Sequence, residues 1–237
     1  MALNLKKRDL SKYDTEVHVD ISGSMSANDT PSRLSRLDDA RKTVEVLVRE
    51  CEKIDTDGVT VGFFNTGTQV FENTKFDKVS AAFANQHPGG STDTAKAVGE
   101  RINAYFERRF GKPAVAGTKG GWFSSGTAGS PAVPPNPNAK PVILVVITDG
   151  VPDNQDALER VIVDATKRLT REGLGREALG ISFIQVGNDK NAKNFLETLN
   201  NGLTAKGATM DIVNCITMDE VRSLGNTQAI LEKALDD

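Results

Sequence analysis

Short apolar runs alternate along the chain with longer segments whose apolar residues recur every three or four positions. Residues 16–21 form the first run, and residues 33–54 follow it with an apolar stripe on one face of a predicted helix. Residues 58–64 and a second run through Val70 and Phe71 flank a short turn, which predicts a β-hairpin. The first third of the chain therefore predicts a strand, a helix and a hairpin in that order.

The same alternation continues through the rest of the chain. Residues 142–147 are an unbroken apolar run, which is typical of a central strand covered on both faces. Thr217 followed by Glu220 fits a capping box at the start of a last helical region. Strands that alternate with amphipathic helices predict an α/β fold with a mainly parallel sheet and helices on both faces. The remaining predicted elements are a helix ending near Phe110, a helix over 155–171, a strand over 180–186, a helix over 192–199 and a strand over 210–216.

One segment breaks this pattern. Residues 112–141 are rich in Gly, Pro, Ser, Ala and Thr. Such a composition cannot bury enough apolar surface to offset its ordering entropy, so we expect a mobile insertion. Trp122 and Phe123 inside it are either a loosely packed aromatic pair or an anchor for a partner. At 237 residues, the chain fits one domain over 15–237, with an N-terminal extension over 1–14 and this insertion.

Composition and charge narrow the function classes. The chain is 38% hydrophobic and carries a formal net charge of -3, whereas a dedicated nucleic-acid-binding protein normally has a basic excess. The N-terminus lacks the apolar run of a signal peptide, and no stretch approaches the ~20 apolar residues of a membrane span. Cys51 and Cys215 are expected to be small core residues rather than part of a disulfide framework. We therefore expect a cytoplasmic protein without a nucleic-acid partner or a membrane span.

Candidate chemistry lies in the loops that follow two predicted strands. Asp20-Ile-Ser-Gly-Ser24 follows the first strand, Asp149 follows the central one, and Gly-Gly-Ser-Thr92 opens a helix. In open parallel sheets, ligands bind beyond the carboxyl ends of the strands, where the strand order reverses. These loops therefore converge if the two strands are neighbours. Two carboxylates and several hydroxyls are hard oxygen ligands, which favour Mg²⁺, Ca²⁺ or Mn²⁺ over Zn²⁺.

Other polar residues are weaker candidates. His18 lies within a predicted strand, and we expect it to be a core or edge residue rather than a ligand. His87 precedes the Gly-Gly loop and fits a turn better than the rim of a metal site. Asn28, Asp29 and Asp153 lie near the acidic loops, where they could shape the choice of partner.

The order of these motifs resembles the metal-ion-dependent adhesion site (MIDAS) of von Willebrand factor A (VWA) domains. The family pattern is Asp-x-Ser-x-Ser with a distant Thr and Asp, and this chain has Asp20, Ser22, Ser24, Thr92 and Asp149 at those positions. The resemblance covers nearly the whole chain. It implies a doubly wound, Rossmann-like fold with one short antiparallel edge strand. The family does not require the insertion at 112–141.

The resemblance also implies roles for these residues. Ser22, Ser24 and Thr92 would contact the metal through their hydroxyls, while Asp20 and Asp149 would bind it directly or through water. The cation implied is Mg²⁺, with Mn²⁺ or Ca²⁺ as alternatives. Ligands that are mostly neutral leave the cation electrophilic, so an Asp or Glu side chain of another protein can replace one of its waters. The function implied is cation-dependent protein binding, not catalysis.

Two further interpretations stay open at this point. An Asp after the first strand also suits a metal-dependent phosphatase or another hydrolase that uses Asp20. Ser22 stands where such enzymes usually place a second Asp, and the chain has no Gly-x-x-x-x-Gly-Lys phosphate loop. A VWA domain without a signal peptide or membrane anchor also resembles the proteins of bacterial stress and tellurite-resistance gene clusters, which rests on analogy alone.

Overall fold

A computed structural model describes residues 8–54, 57–115 and 129–235 of the chain. Strands and helices mostly alternate along the described residues, as the apolar pattern predicts, with one pair of consecutive strands and two pairs of consecutive helices. They are β1 (Asp14–Asp20), α1 (Arg36–Cys51), β2 (Val59–Phe64), β3 (Thr68–Thr74), α2 (Phe76–Phe83), α3 (Thr94–Phe110), β4 (Val142–Thr148), α4 (Gln155–Arg171), β5 (Leu179–Gln185), α5 (Lys190–Gly202), β6 (Val213–Thr217), α6 (Met218–Leu224) and α7 (Thr227–Lys233).

The strands form one six-stranded sheet in the order β3-β2-β1-β4-β5-β6. β1, β2, β4, β5 and β6 are parallel, and only β3 at one edge runs antiparallel to its neighbour. The chain winds outward from β1 towards β3 and then returns to β4 on the other side of β1. The strand order therefore reverses between β1 and β4, where Val19 pairs with Ile147. The predicted doubly wound, mainly parallel sheet with an antiparallel edge strand is confirmed.

β4 shows why its apolar run is unbroken. Ile143, Val145 and Ile147 pack into the core on the face of the sheet that α1, α2, α6 and α7 cover. The alternate residues Leu144 and Val146 pack on the opposite face, under α3, α4 and α5. Successive side chains of a strand point to opposite faces, so a strand covered on both sides needs an apolar residue at every position.

The start of α1 differs from the sequence prediction by three residues. Ser35 is the N-cap, and its side chain accepts a hydrogen bond from the N–H of Asp38. Arg33 has a φ of 58°, which is incompatible with a right-handed helix, so the helix cannot begin there. The capping box predicted from Thr217 and Glu220 is confirmed at the start of α6.

The insertion joins the end of α3 to the amino end of β4, which lies at the edge of the sheet opposite Asp149. Its described ends pair with each other: Lys112 exchanges two backbone hydrogen bonds with Val133, and Val115 does so with Ser130. Residues 116–128, which include Trp122 and Phe123, lie outside the described residues, so the two interpretations of that pair stay predictions.

Residues 8–13 of the N-terminal extension pack against the domain, because Leu10 and Tyr13 are both buried in the core. Cys51 is buried in α1 and Cys215 is partly buried in β6, and neither of these two described cysteines forms a disulfide. Among the described residues, the helices are too short or too polar to cross a bilayer.

β6 is an edge strand whose outward backbone donors are occupied. Alternate N–H groups along the strand donate to side chains of neighbouring segments instead of facing solvent with no partner. The three bonds join Val213 to Asp211 (3.1 Å), Cys215 to Asn200 (2.8 Å) and Thr217 to Glu220 (2.7 Å).

His18 is buried in the centre of the sheet, as a core residue. Its side chain is 3% exposed, and its Nε2 lies 3.8 Å from a carboxylate oxygen of Glu16. Burial, with a smaller contribution from the nearby positive charge of Arg101, lowers the pKa of His18 to about 3, so the ring is neutral at pH 7. The ring occupies the space beside Gly62 on β2, where a Cβ atom would collide with it.

We expect Gly62→Ala to destabilise the protein by about 1–3 kcal/mol, because the added methyl group overpacks the buried His18 ring. In a His18→Ala background the same substitution should cost little. Gly67→Ala is the control, since a Cβ at Gly67 would meet no atom within 4 Å. These differences are measured by urea unfolding of five proteins: the wild type, the two single variants at residues 18 and 62, their double variant and the control. An equal cost of Gly62→Ala in both backgrounds would contradict the packing explanation.

Candidate metal centre

Three loops meet at the carboxyl edge of the sheet: those after β1 and β4, and the one before α3. The N–H of Gly89 donates to the carbonyl of Ile21 at 2.8 Å, and that of Gly23 donates to Gly90 at 3.4 Å. The side-chain amide of Asn65, at the end of β2, donates to the carbonyl of Gly89 at 2.8 Å. Backbone hydrogen bonds therefore hold the loop of Thr92 against the loop of Asp20, Ser22 and Ser24.

Asp20 lies deep in this site, with no exposed surface. One carboxylate oxygen accepts the N–H of Ser22 at 2.7 Å, and the other accepts the hydroxyl of Thr148 at 2.7 Å. Burial raises the pKa of Asp20 from 3.8 to about 6; these hydrogen bonds lower it, and the nearby Asp149 raises it slightly. The charged form of Asp20 is therefore costly unless a cation lies beside it.

Two serine hydroxyls join this carboxylate loop to Asp149. The Oγ atoms of Ser22 and Ser24 are 3.1 Å apart, and Ser24 Oγ donates to Oδ1 of Asp149 at 2.9 Å. These are hydrogen-bond distances, and they also match the edge of an octahedron. Adjacent ligands of Mg²⁺, each about 2.1 Å from the ion, lie about 3 Å apart. The spacing of these three oxygens is therefore compatible with adjacent ligand positions around a small, six-coordinate cation.

Thr92 is held in place by Asp153. The N–H of Thr92 donates to Oδ2 of Asp153 at 3.0 Å, and the N–H of Asp153 donates to the carbonyl of Thr92 at 3.1 Å. Thr92 is 8% exposed and directly precedes Asp93, the N-cap of α3. Sequence reasoning placed Asp153 only near the loops and missed this clamp. Asp153 lies only four residues after Asp149, and nothing in that spacing indicates a contact with Thr92.

Arg36 is the site residue that sequence reasoning missed altogether. Its Nη1 donates to Oδ2 of Asp149 at 2.6 Å, while its Nε and Nη2 donate to both oxygens of Asp29 at 2.8 and 2.6 Å. The one signal in the sequence is its position. Arg36 is the first residue of α1, and a cation is unfavourable at the positive end of a helix dipole.

The predicted ligand set comes together in the structure. Asp20, Ser22, Ser24 and Asp149 are joined through a continuous hydrogen-bonded row, and Thr92 lies in the loop packed on them. His87 is exposed outside this row, in an irregular segment rather than in the turn that the sequence predicts. Within the described ranges, no cluster of three His, Cys, Asp or Glu residues suits a metal. The candidate site therefore depends on hydroxyls as well as carboxylates, which is the chemistry of a hard cation.

Comparison with known proteins identifies solved structures that share this fold. No protein family and no curated protein matches the sequence. Three of the solved structures that are similar to the chain represent this fold. They are the PilB minor pilin from Streptococcus sanguinis (12% identity, TM-score 0.52, 92% of this chain and 62% of that chain), a von Willebrand factor type A protein from Catenulispora acidiphila (12%, 0.54, 94% and 43%) and manganese-loaded TRAP from Plasmodium vivax (14%, 0.51, 92% and 73%).

These similarities show the fold and no more, because every identity is far below 25%. The chain has a VWA-like, Rossmann-like fold, as its sheet topology indicates. It spans 62% of the length of the PilB minor pilin.

We expect Asp20→Asn to stabilise the metal-free protein by about 2 kcal/mol at pH 7, because it removes a buried charge. The native carboxyl keeps its proton up to a pKa of about 6, whereas the unfolded one loses it near 3.8. Wild-type stability from this group is thus fully present below pH 3.8 and is lost as the pH rises through 6.

Urea unfolding in chelator between pH 4 and 7 measures this effect. The advantage of Asp20→Asn over the wild type should grow as the pH rises to about 6 and then level off. Asp164→Asn is the control, since its side chain is 77% exposed. An advantage that does not change with pH would contradict the cost assigned to the Asp20 charge.

Proposed function

We propose that the chain is a divalent-cation-dependent protein-binding module. Asp20, Ser22, Ser24, Thr92 and Asp149 would hold Mg²⁺, and an Asp or Glu side chain of another protein would complete its coordination. The row of oxygens Ser22 Oγ, Ser24 Oγ and Asp149 Oδ1, spaced 3.1 and 2.9 Å apart beside the buried Asp20, carries this proposal.

The charge of the site supports a cation that stays open to an anionic ligand. Asp20 and Asp149 together neutralise a divalent ion, and the three hydroxyls of Ser22, Ser24 and Thr92 add no charge. Mg²⁺ keeps waters that a carboxylate can replace. Mn²⁺ has similar ligand preferences and is the ion bound in the TRAP structure. Ca²⁺ prefers 6–8 oxygens at longer distances, which makes it the weaker choice.

The surroundings of Asp20 favour binding over catalysis. A phosphoryl nucleophile needs a free carboxylate oxygen in line with the substrate. Both oxygens of Asp20 already accept hydrogen bonds, from Ser22 and Thr148, and the side chain is fully buried. Such a carboxylate can still hold a small cation, directly through a remaining lone pair or through water, but it is poorly placed to attack a phosphate ester. We therefore infer a non-enzymatic module and rank a phosphatase that uses Asp20 second.

The biological setting is a hypothesis that rests on the sequence resemblance. We propose to look for the partner among the proteins of bacterial stress or tellurite-resistance systems, in the cytoplasm. The metal site makes the same demand of any such partner: an acidic side chain that can reach a recessed cation.

Calorimetric titration of chelator-treated protein with Mg²⁺ and Mn²⁺ should give a stoichiometry near one. Asp20→Asn and Asp149→Asn should abolish binding, because each removes half of the charge that neutralises the ion. Asp164→Asn should bind as the wild type does. Saturation at 100 times the Kd should raise the unfolding free energy by about 2.7 kcal/mol. Unchanged binding in both site variants would rule out this site.

Affinity capture from cells that express the protein tests the partner. Mg²⁺ should support capture and EDTA should abolish it. Thr92→Val should impair capture while the fold survives, since it removes one oxygen ligand at constant shape. Ser91→Ala, the neighbouring hydroxyl, should leave capture intact. If Thr92→Val captures the same proteins as the wild type, the metal is structural; hydrolysis of a generic phosphate ester that Asp20→Asn abolishes would favour the phosphatase.

A further inference from the structure

We propose that Arg36 and Asp29 form a positioning pair for the metal centre. Arg36 fixes the orientation of Asp149, and Asp29 offsets the positive charge that Arg36 brings next to the cation. This inference rests on the proposed metal site and adds to it two residues outside the MIDAS pattern.

The two oxygens of Asp149 have separate partners. Oδ1 accepts the hydroxyl of Ser24 and so faces the oxygen row, whereas Oδ2 accepts Nη1 of Arg36 at 2.6 Å. A cation that uses Oδ1 can therefore bind while Arg36 stays in place. Because Asp149 has no exposed surface, Arg36 also supplies the positive charge that this buried carboxylate needs when no cation is bound.

The position of Arg36 is enforced from several sides. Its side chain is 12% exposed, and its backbone N–H donates to the carbonyl of Ala27 at 2.9 Å. The guanidinium lies against Gly187, where φ is +77° and an added Cβ would come within 2.7 Å of Nε. Segments after β1, β4 and β5 thus shape one place for this group. A flexible surface arginine would have no such enclosure.

The charges explain why the pair has two members. A divalent ion is neutralised by Asp20 and Asp149, so an uncompensated guanidinium would add a repulsive unit charge. Asp29 binds the other edge of the guanidinium through both of its oxygens and cancels that charge. The pair thus orients the carboxylate of Asp149 and adds almost no net charge to the site.

Titration of chelator-treated protein with Mn²⁺ tests the pair through the Kd of the metal alone. If Arg36 acted only as a charge, Arg36→Met would tighten binding. As a positioning residue it should instead weaken binding by about 10–100-fold, the usual loss when a residue that orients a metal ligand is removed. The double variant Asp29→Asn with Arg36→Met leaves the net charge unchanged and should show the same order of loss.

Three further proteins complete the design. Arg36→Lys should recover part of the affinity, since an ammonium keeps the charge but cannot bond both carboxylates in a fixed plane. Asp29→Asn alone should weaken binding at low ionic strength, with a deficit that shrinks in 1 M salt as the exposed charge is screened. Arg41→Met is the matched control, because Arg41 lies on the same helix and pairs with Asp38 and Glu45 at the surface.

The outcomes separate the inference from the proposed function. No Mn²⁺ binding by the folded wild type would overturn both. Binding by the wild type, with equal or tighter binding by Arg36→Met and by the double variant, would overturn the positioning pair alone. If Arg36→Met does not fold, the comparison of wild type with Arg36→Lys decides, and equal affinity of those two proteins overturns the pair.

Discussion

Two buried carboxylates at the ends of adjacent strands set the main constraint on this structure. The pairing of β1 with β4 brings Asp20, the last residue of β1, near Asp149, which directly follows β4, and neither has exposed surface. Water cannot stabilise their charges, so the protein must do so. The N–H of Ser22 and the hydroxyl of Thr148 satisfy Asp20, while Ser24 and Arg36 satisfy Asp149. The loops around the sheet edge take the conformations that bring these groups together.

Packing of the apolar core offsets the unfavourable free energy of burying these carboxylates. β4 is buried on both faces and ends directly before Asp149. Its packing therefore fixes the backbone position from which Asp149 extends and leaves the following loop little freedom. The charged form of Asp20 remains unfavourable without a cation, as its raised pKa shows. A cation beside Asp20 would relieve that cost, so ion binding, if it occurs as proposed, would add to the stability of the fold.

The sequence predicts the scaffold better than it predicts the site. The spacing of apolar residues locates α4 at both ends, and the capping box locates the start of α6, because these signals are local. The motif residues Asp20 to Ser24, Thr92 and Asp149 are likewise recognisable as a set. The contribution of Arg36 is not, since its partner Asp149 is 113 residues away and only the folded sheet brings them together. The predicted start of α1 is also three residues too early, because the pattern of apolar residues does not reveal the positive φ of Arg33.

The occupied donors of β6 have a consequence for how the protein behaves at high concentration. An edge strand normally offers its free backbone groups to a strand from another molecule, which is a common route to insoluble assemblies. Side chains of Asp211, Asn200 and Glu220 already hold those donors on β6. A second molecule would have to break three existing bonds before it could extend the sheet there. These three polar side chains thus protect the β6 edge against sheet extension, independently of the net charge of the protein.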